Sequence, residues 1–268
     1  MRLLIIALSV VGILVTANAA KADRRVAFVV GNGAYKKVQQ LPNPPVSAKA
    51  MADFLRTIGF DVVEGTDLSR DEMTDRLLDF GRKAQGADLA LFYYSGHGIA
   101  ISGTEYLLPI DADIKSEMDI KLGHAIDVDV TLNQAMSDAK VKLVLLDVSR
   151  DNPFPAIIPS ATSAAHSVSV KPGLTETKSG DNTLTVFATG PGQAAPDGPA
   201  GTVRPLTRAL IANIAAPDVE IQNAMTKVRA QVNQETNGKQ TSWGQSNLEG
   251  PVYLNPLASP ATSAPPAK

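Results

Sequence analysis

The stretch DLALFYYSGHG at residues 88–98 decides the fold, because a nearly continuous apolar run ends abruptly in small and polar residues. Such a run predicts a short strand that is buried on both faces of a sheet. The segment KLVLLDVS at residues 142–149 repeats the pattern and ends in an aspartate and a serine. We therefore predict two buried strands with polar side chains just beyond their carboxyl ends.

Outward from these two segments, apolar runs and helical spacings alternate along the chain. Further strands are predicted at 26–30, 60–63, 182–188 and, as a short edge strand, 252–254; helices are predicted at 47–58, 69–80, 131–139, 203–214 and 219–232. This alternation predicts an α/β fold with three layers, in which helices cover both faces of a mostly parallel sheet of about six strands. Sheets of this type bind ligands outside the carboxyl ends of their strands.

Composition excludes several classes of function. The chain has 268 residues, 25 Lys and Arg against 27 Asp and Glu, and no cysteine. The near balance of charge argues against broad nucleic-acid binding, which needs a basic surface. The absence of cysteine excludes disulfides, thiolate metal sites and a cysteine nucleophile. We predict no cofactor, because Lys36 stands where a dinucleotide fingerprint needs its third glycine, and no metal, because the paired aspartates lack the spacing of a calcium loop.

The two ends of the chain and one internal segment have distinct compositions. Residues 1–19 show the basic start, apolar run and small-x-small site of a secretory signal, which predicts cleavage after Ala19 and export to a bacterial periplasm or the medium. An uncleaved amino-terminal anchor is the alternative. Residues 153–180 predict a mobile surface loop, and the Pro- and Ala-rich residues 255–268 predict a disordered tail. The folded domain is then expected at 24–254.

Two side chains at the predicted strand ends could carry chemistry. His97 stands between two glycines that leave its ring accessible, although a lone histidine is more often structural. Ser149 follows the other buried strand, 149 − 97 = 52 residues later, and caspase-type cysteine peptidases place their histidine about 50 residues before the nucleophile. The remaining histidines, His124 and His166, are expected to be exposed and uninvolved.

Several segments together carry a resemblance to a known family. They are RVAFVVGN at 25–32, LPNP at 41–44, FYYSGHG at 92–98, YLLP at 106–109, LLDVSRDNPF at 145–154, FATG at 187–190 and QTSW at 240–243. With these segments the chain resembles bacterial caspase-like proteins of the peptidase C14 clan, which includes the metacaspases, over residues 25–253. The resemblance implies the three-layer caspase-like fold and a family of cysteine-type endopeptidases.

The resemblance also assigns roles to individual positions. His97 matches the catalytic histidine, and the backbone N–H of Gly98 matches a donor of the oxyanion hole. Asp147 matches a residue that lines the pocket for the P1 side chain, the substrate residue before the cleaved bond. Ser149 stands where the family has its catalytic cysteine. Ser47 stands where bacterial relatives carry an aspartate that helps to bind a basic P1 side chain, a charge that serine cannot supply.

These departures leave three functions open. The first is a pseudopeptidase, or a much weakened peptidase, because a serine hydroxyl ionises far less readily than a thiol. The second is an active serine hydrolase that uses Ser149 and His97. The third is a peptide-binding or scaffold module. In each case the expected partner is a peptide or protein, with a preference for a basic P1 side chain from Asp147, and neither nucleic acid nor, after signal cleavage, a membrane.

Overall fold

A computed structural model describes residues 23–101, 104–149, 153–154, 181–190, 195 and 197–256. The predicted signal segment 1–19 lies outside the described residues. So do all but two residues of the predicted loop 153–180, and all but two of the predicted tail 255–268.

A sheet runs through the middle of the domain. Its strands are β1 (Arg25–Gly31), β2 (Asp61–Thr66), β3 (Leu89–Ile101), β4 (Thr104–Leu107), β5 (Ile126–Asp127), β6 (Val141–Ser149), β7 (Thr183–Phe187) and β8 (Trp243–Ser246). The main order is β2-β1-β3-β6-β7-β8, and neighbours in it are parallel except β8, which is antiparallel to β7. The short strands β4 and β5 extend the end of β3 in an antiparallel hairpin. This arrangement confirms the predicted, mostly parallel sheet.

Helices cover both faces of the sheet and bury its alternating side chains in two cores. They are α1 (Pro44–Thr57), α2 (Arg70–Ala84), α3 (Glu117–Asp119), α4 (Val128–Ala135), α5 (Pro205–Ile214) and α6 (Ile221–Glu235), with a π-helical turn at Ile120–His124. One core joins α1, α5 and α6 to the sheet, and the other joins α2 and α4. The predicted three-layer α/β class is therefore confirmed. Within the described ranges, no helix combines the length and apolar character that a membrane span requires.

The predicted last strand at 252–254 is wrong. There, Tyr253 makes only an isolated bridge to Glu220, and the edge of the sheet is β8 instead. Its sequence, WGQS, contains a single large apolar residue, because an edge strand is only partly buried. Apolar periodicity therefore gives no signal for β8.

The central strands also run further than their apolar residues indicate. β3 continues through His97 to Ile101, and β6 continues to Ser149. Four of the predicted site residues therefore lie within strands, where neighbouring backbones fix their spacing, rather than in loops after them: His97, Gly98, Asp147 and Ser149. Gly31, the last residue of β1, permits a close backbone approach: a Cβ there would lie 2.4 Å from the Pro44 carbonyl oxygen. This brings the start of α1 against the end of the sheet.

Candidate active site

The strand register brings the two predicted catalytic positions together. β3 and β6 are parallel neighbours in which His97 pairs with Ser149 and, two residues earlier, Ser95 pairs with Asp147. Neighbouring strands lie about 4.8 Å apart, and residues two apart on a strand share a face. All four positions therefore occupy one face at the carboxyl end of the sheet, the face covered by α1 and α5.

Two tyrosines fix the backbone of His97. The His97 N–H donates to the Tyr35 hydroxyl at 2.7 Å, and the Tyr94 hydroxyl, whose proton faces the Leu108 carbonyl at 2.8 Å, lies 3.1 Å from the His97 carbonyl. The two hydroxyl oxygens are themselves 3.0 Å apart. Burial raises the pKa of both phenols, so both are neutral hydrogen-bonding groups. Gly96 makes room for them, since a Cβ there would lie 2.5 Å from the Tyr35 hydroxyl.

The ring of His97 has a defined orientation. Its Nε2 lies 2.9 Å from the carbonyl oxygen of Gln39, and the ring packs against Tyr35 with centroids 4.7 Å apart. A carbonyl oxygen can only accept, so Nε2 carries the proton of the neutral ring and Nδ1 is its basic nitrogen. The residue is only 4% exposed. The structure therefore gives His97 the tautomer of a general base on Nδ1, held by a neutral partner.

The backbone N–H of Gly98 points towards β6. The carbonyl of Ser95 accepts from the Asn32 N–H, and the carbonyl of His97 accepts from the Leu108 N–H, so these groups face the β1 and β4 side of β3. Because backbone directions alternate along a strand, the N–H of Gly98 faces the opposite side, on which Ser149 lies. In the parallel pairing of His97 with Ser149 this N–H is the ladder donor to the Ser149 carbonyl, so it could serve an oxyanion only where that bond opens.

Asp147 lies two residues before Ser149 on β6 and is buried within a polar cluster. Its carboxylate accepts a short hydrogen bond from the Thr207 hydroxyl, which also bonds the Tyr93 hydroxyl at 2.6 Å. The other carboxylate oxygen lies 3.5 Å from Nε of Arg204. Asp147 and Arg204 are 1% and 0% exposed, so this is a desolvated ion pair. The carboxylate that the sequence assigns to a basic ligand thus already contacts a guanidinium of its own chain.

Ser47 contacts the same arginine through the backbone. It lies in the first turns of α1, and its hydroxyl accepts the backbone N–H of Arg204 at 3.0 Å. Four residues before it, the Asn43 side chain donates to the carbonyls of Asp197 and Pro199 at 2.6 and 2.9 Å. The start of α1 therefore fixes the segment 197–204 across the end of the sheet.

The other predicted positions fall outside this cluster. His124 is exposed, with Nδ1 3.3 Å from the Asp113 carbonyl oxygen, and His166 lies outside the described residues. In the described portion of the chain, no three His, Asp or Glu side chains group as a metal site would require.

Sequence reasoning missed Gln39, Arg204 and Thr207. The first acts through its backbone carbonyl, which no residue type signals. Arg204 carries the faint signal of a cation directly before a proline and an apolar helix, where a solvent-exposed cap is the usual interpretation.

Comparison with known proteins agrees with this geometry. The family model for the caspase domain, Peptidase_C14, matches residues 24–253. Human mucosa-associated lymphoid tissue lymphoma translocation protein 1 is 31% identical over 97 residues, which are 36% of this chain and 12% of that protein; its mouse homolog is 32% identical over 91 residues, 34% and 11%. The chain thus matches about an eighth of the length of these curated relatives.

A solved structure shows the same fold. The crystal structure of the Drosophila initiator caspase Dronc superposes with a TM-score of 0.59 at 15% identity, covering 87% of this chain and 84% of that one. With the family model spanning nearly the whole described domain, the chain belongs to the caspase domain family, peptidase C14.

Proposed function

We propose that this caspase-domain protein is an exported pseudopeptidase, or a much weakened peptidase, that binds a peptide segment at the carboxyl edge of its sheet. One observation carries the proposal: in a chain without cysteine, the residue paired with His97 across β3 and β6 is Ser149.

The chemistry of the two nucleophiles supports loss of activity. A cysteine with a pKa near 8.5 is a few per cent thiolate at neutral pH, and a thiolate attacks without further help. A serine hydroxyl must lose its proton during the attack, which requires a well-oriented base. Replacing sulfur by oxygen in a site shaped for a thiolate is therefore expected to cost several orders of magnitude in rate.

The hydrogen-bond partner of His97 also supports a loss of activity. In serine peptidases a buried carboxylate holds the histidine and stabilises the imidazolium that forms. The proton on Nε2 of His97 is instead directed at the carbonyl of Gln39, a neutral dipole. A dipole stabilises the positive ring less than a full negative charge does, so the Gln39 carbonyl gives a serine hydroxyl less support than the carboxylate of a serine peptidase.

An active serine hydrolase is the second candidate, and the register favours it. Ser149 is directly opposite His97, and the N–H of Gly98 faces the same side. A hydroxyl nucleophile and a base would then be close together, and the N–H of Gly98 would become an oxyanion donor once it leaves the Ser149 carbonyl in the ladder, which is the minimum that acyl transfer needs.

A substitution series separates these functions. Wild type, Ser149→Ala and Ser149→Cys would be assayed on a peptide library with acidic, basic and neutral P1 residues. The pseudopeptidase predicts equal, near-background rates for the first two proteins and a gain in turnover for Ser149→Cys that His97→Ala removes. Ser137→Cys, which puts a thiol on an exposed surface, is the matched control.

Other outcomes would overturn the proposal. Wild-type turnover that disappears in Ser149→Ala would establish the serine hydrolase. A silent Ser149→Cys variant, in a protein that binds no library peptide, would leave only a scaffold function.

A further inference from the structure

We propose that Arg204 is a built-in occupant of a guanidinium-binding recess beside the His97–Ser149 pair, so that the native cleft does not accept a basic side chain there. Removal of the Arg204 side chain would then create a site for an external guanidinium ligand. This inference rests on the proposed function only in placing the peptide cleft at this edge of the sheet.

The recess lies directly next to the candidate catalytic pair. Its floor is formed by Ser95 and Asp147, which pair across β3 and β6 two residues before His97 and Ser149. Two residues along a strand span about 6.6 Å. The side chain of a ligand that enters beside His97 and Ser149 is therefore long enough to reach the recess.

The contacts of Arg204 are those that a bound arginine side chain would make. Its Nη1 donates to the Asp147 carbonyl at 2.7 Å and lies 3.5 Å from the Ser95 hydroxyl; its Nη2 lies 3.5 Å from the Ala195 carbonyl. Its Nε lies 3.5 Å from a carboxylate oxygen of Asp147 and from one of Asp197. The planar, five-donor guanidinium suits such a ring of acceptors, whereas an ammonium would reach only part of it.

Arg204 is held in the recess from its own backbone. Its N–H donates to Ser47, and the adjoining Thr202 N–H donates to the Asn43 side-chain oxygen at 3.1 Å. Its side chain is fully buried. A group fixed by α1 on one side and by the start of α5 on the other is a permanent occupant and not a detachable plug.

Arg204 also engages both carboxylates that a second cation would need. Asp147 is neutralised by Arg204 and by the hydrogen bond from Thr207. Asp197 is 17% exposed and lies 3.5 Å from the same guanidinium, so Arg204 also contacts the second carboxylate of the recess. A peptide with arginine or lysine at P1 would therefore meet a filled recess, and the native ligand is expected to carry a small or uncharged side chain at that position.

The test uses ethylguanidinium, which has the atoms that Arg204→Ala removes beyond Cβ. Calorimetric titration and thermal unfolding would be run on the full mature chain as wild type, Arg204→Ala and Arg204→Ala/Asp147→Asn. We expect saturable binding to Arg204→Ala at least about tenfold tighter than to wild type, a rise in its melting temperature, and loss of both in the double variant. Ethylammonium has the charge without the fork, and ethylurea has the planar shape without the charge and with a carbonyl oxygen in place of one donor nitrogen; both should bind at least about tenfold more weakly.

Arg208→Ala is the matched control, because Arg208 lies one turn further along α5 and forms an exposed ion pair with Glu235. It should respond to ethylguanidinium as wild type does. If Arg204→Ala is unfolded without ligand, its refolding yield is measured instead, and it should be higher in ethylguanidinium than in ethylammonium. The inference is overturned if folded Arg204→Ala does not distinguish the three compounds, or if refolding shows no such preference. It is also overturned if wild type binds ethylguanidinium as tightly as Arg204→Ala does. No peptide cleavage is measured, so these outcomes are independent of whether Ser149 is active.

Discussion

Replacing Thr207 by valine should destabilise the domain more than the small change in side-chain shape suggests. The threonine hydroxyl links two buried groups: it donates to the carboxylate of Asp147 and bonds the hydroxyl of Tyr93. Since the Thr207 proton goes to the carboxylate, the Tyr93 hydroxyl is the donor in the second bond. Valine keeps the shape of the side chain but removes both bonds and leaves both partners buried.

The magnitude follows from the charges involved. A hydrogen bond to a buried charged group contributes about 1.5–3 kcal/mol, and one between neutral hydroxyls about 1 kcal/mol. We therefore expect Thr207→Val to lower the free energy of unfolding by about 3 kcal/mol. Tyr93→Phe removes only the neutral bond and should cost about 1 kcal/mol. Thr207→Ser, which loses one methyl group and keeps the hydroxyl, should also cost about 1 kcal/mol.

Urea denaturation of the four proteins measures these differences, provided that the slope with denaturant is unchanged. The double variant Tyr93→Phe/Thr207→Val should be more stable than the sum of the single effects predicts, by about 1 kcal/mol, because the two changes remove the same bond. A cost for Thr207→Val that equals or falls below that of Thr207→Ser would refute the hydrogen-bonded chain and leave the methyl group as the stabilising part.

Three further predictions concern other parts of the chain. Gly96→Ala should lower the free energy of unfolding by about 1–3 kcal/mol in denaturant titrations, because the new Cβ would lie within 2.6 Å of two buried hydroxyls. The control Gly250→Ala, with open space around it, should have little effect. Burial raises the pKa of Asp197 against the opposing charge of Arg204, so its contribution to stability is present at low pH and is lost as pH rises through the folded-state pKa. Asp197→Asn, which resembles the protonated form, should raise the melting temperature at about pH 7 and change it less at about pH 4; an equal shift at both would contradict this. Cleavage of the proposed signal after Ala19 should give exported protein that starts at residue 20 on amino-terminal sequencing, and an intact start in the exported protein would refute it.

The sequence predicts the layers of the fold because the central strands are buried on both faces. Their apolar runs, such as residues 88–94, need no knowledge of the partner strand to be recognised. The same physics explains the failure at β8, where an edge strand with the sequence WGQS has little apolar surface to bury. Strand ends are equally hard to predict, since β3 and β6 continue by backbone pairing after their apolar residues stop.

The candidate site could likewise be predicted only in part. His97 and Ser149 could be paired from the sequence, because parallel strands bring their carboxyl ends to one edge. The environment of Asp147 could not, since its cation lies 57 residues further along the chain, as the difference 204 − 147 gives. Only the packing of α5 and α1 against the same end of the sheet brings Arg204, Ser47 and Asp147 together.

This packing gives a physical reason for serine at position 47. The resemblance to bacterial relatives implies an aspartate there, which would add a further buried carboxylate to a recess that already holds Asp147 and Asp197. With one internal guanidinium available, an additional negative charge would be left without a cation, and uncompensated buried charges are strongly destabilising. Serine accepts the backbone N–H of Arg204 without adding charge. The uncharged residue at position 47 and the buried arginine at position 204 are therefore electrostatically compatible. On this reasoning Ser47→Asp should lower the melting temperature of the native chain, and should lower that of Arg204→Ala, which has no guanidinium in the recess, still further; an equal shift in both would contradict it.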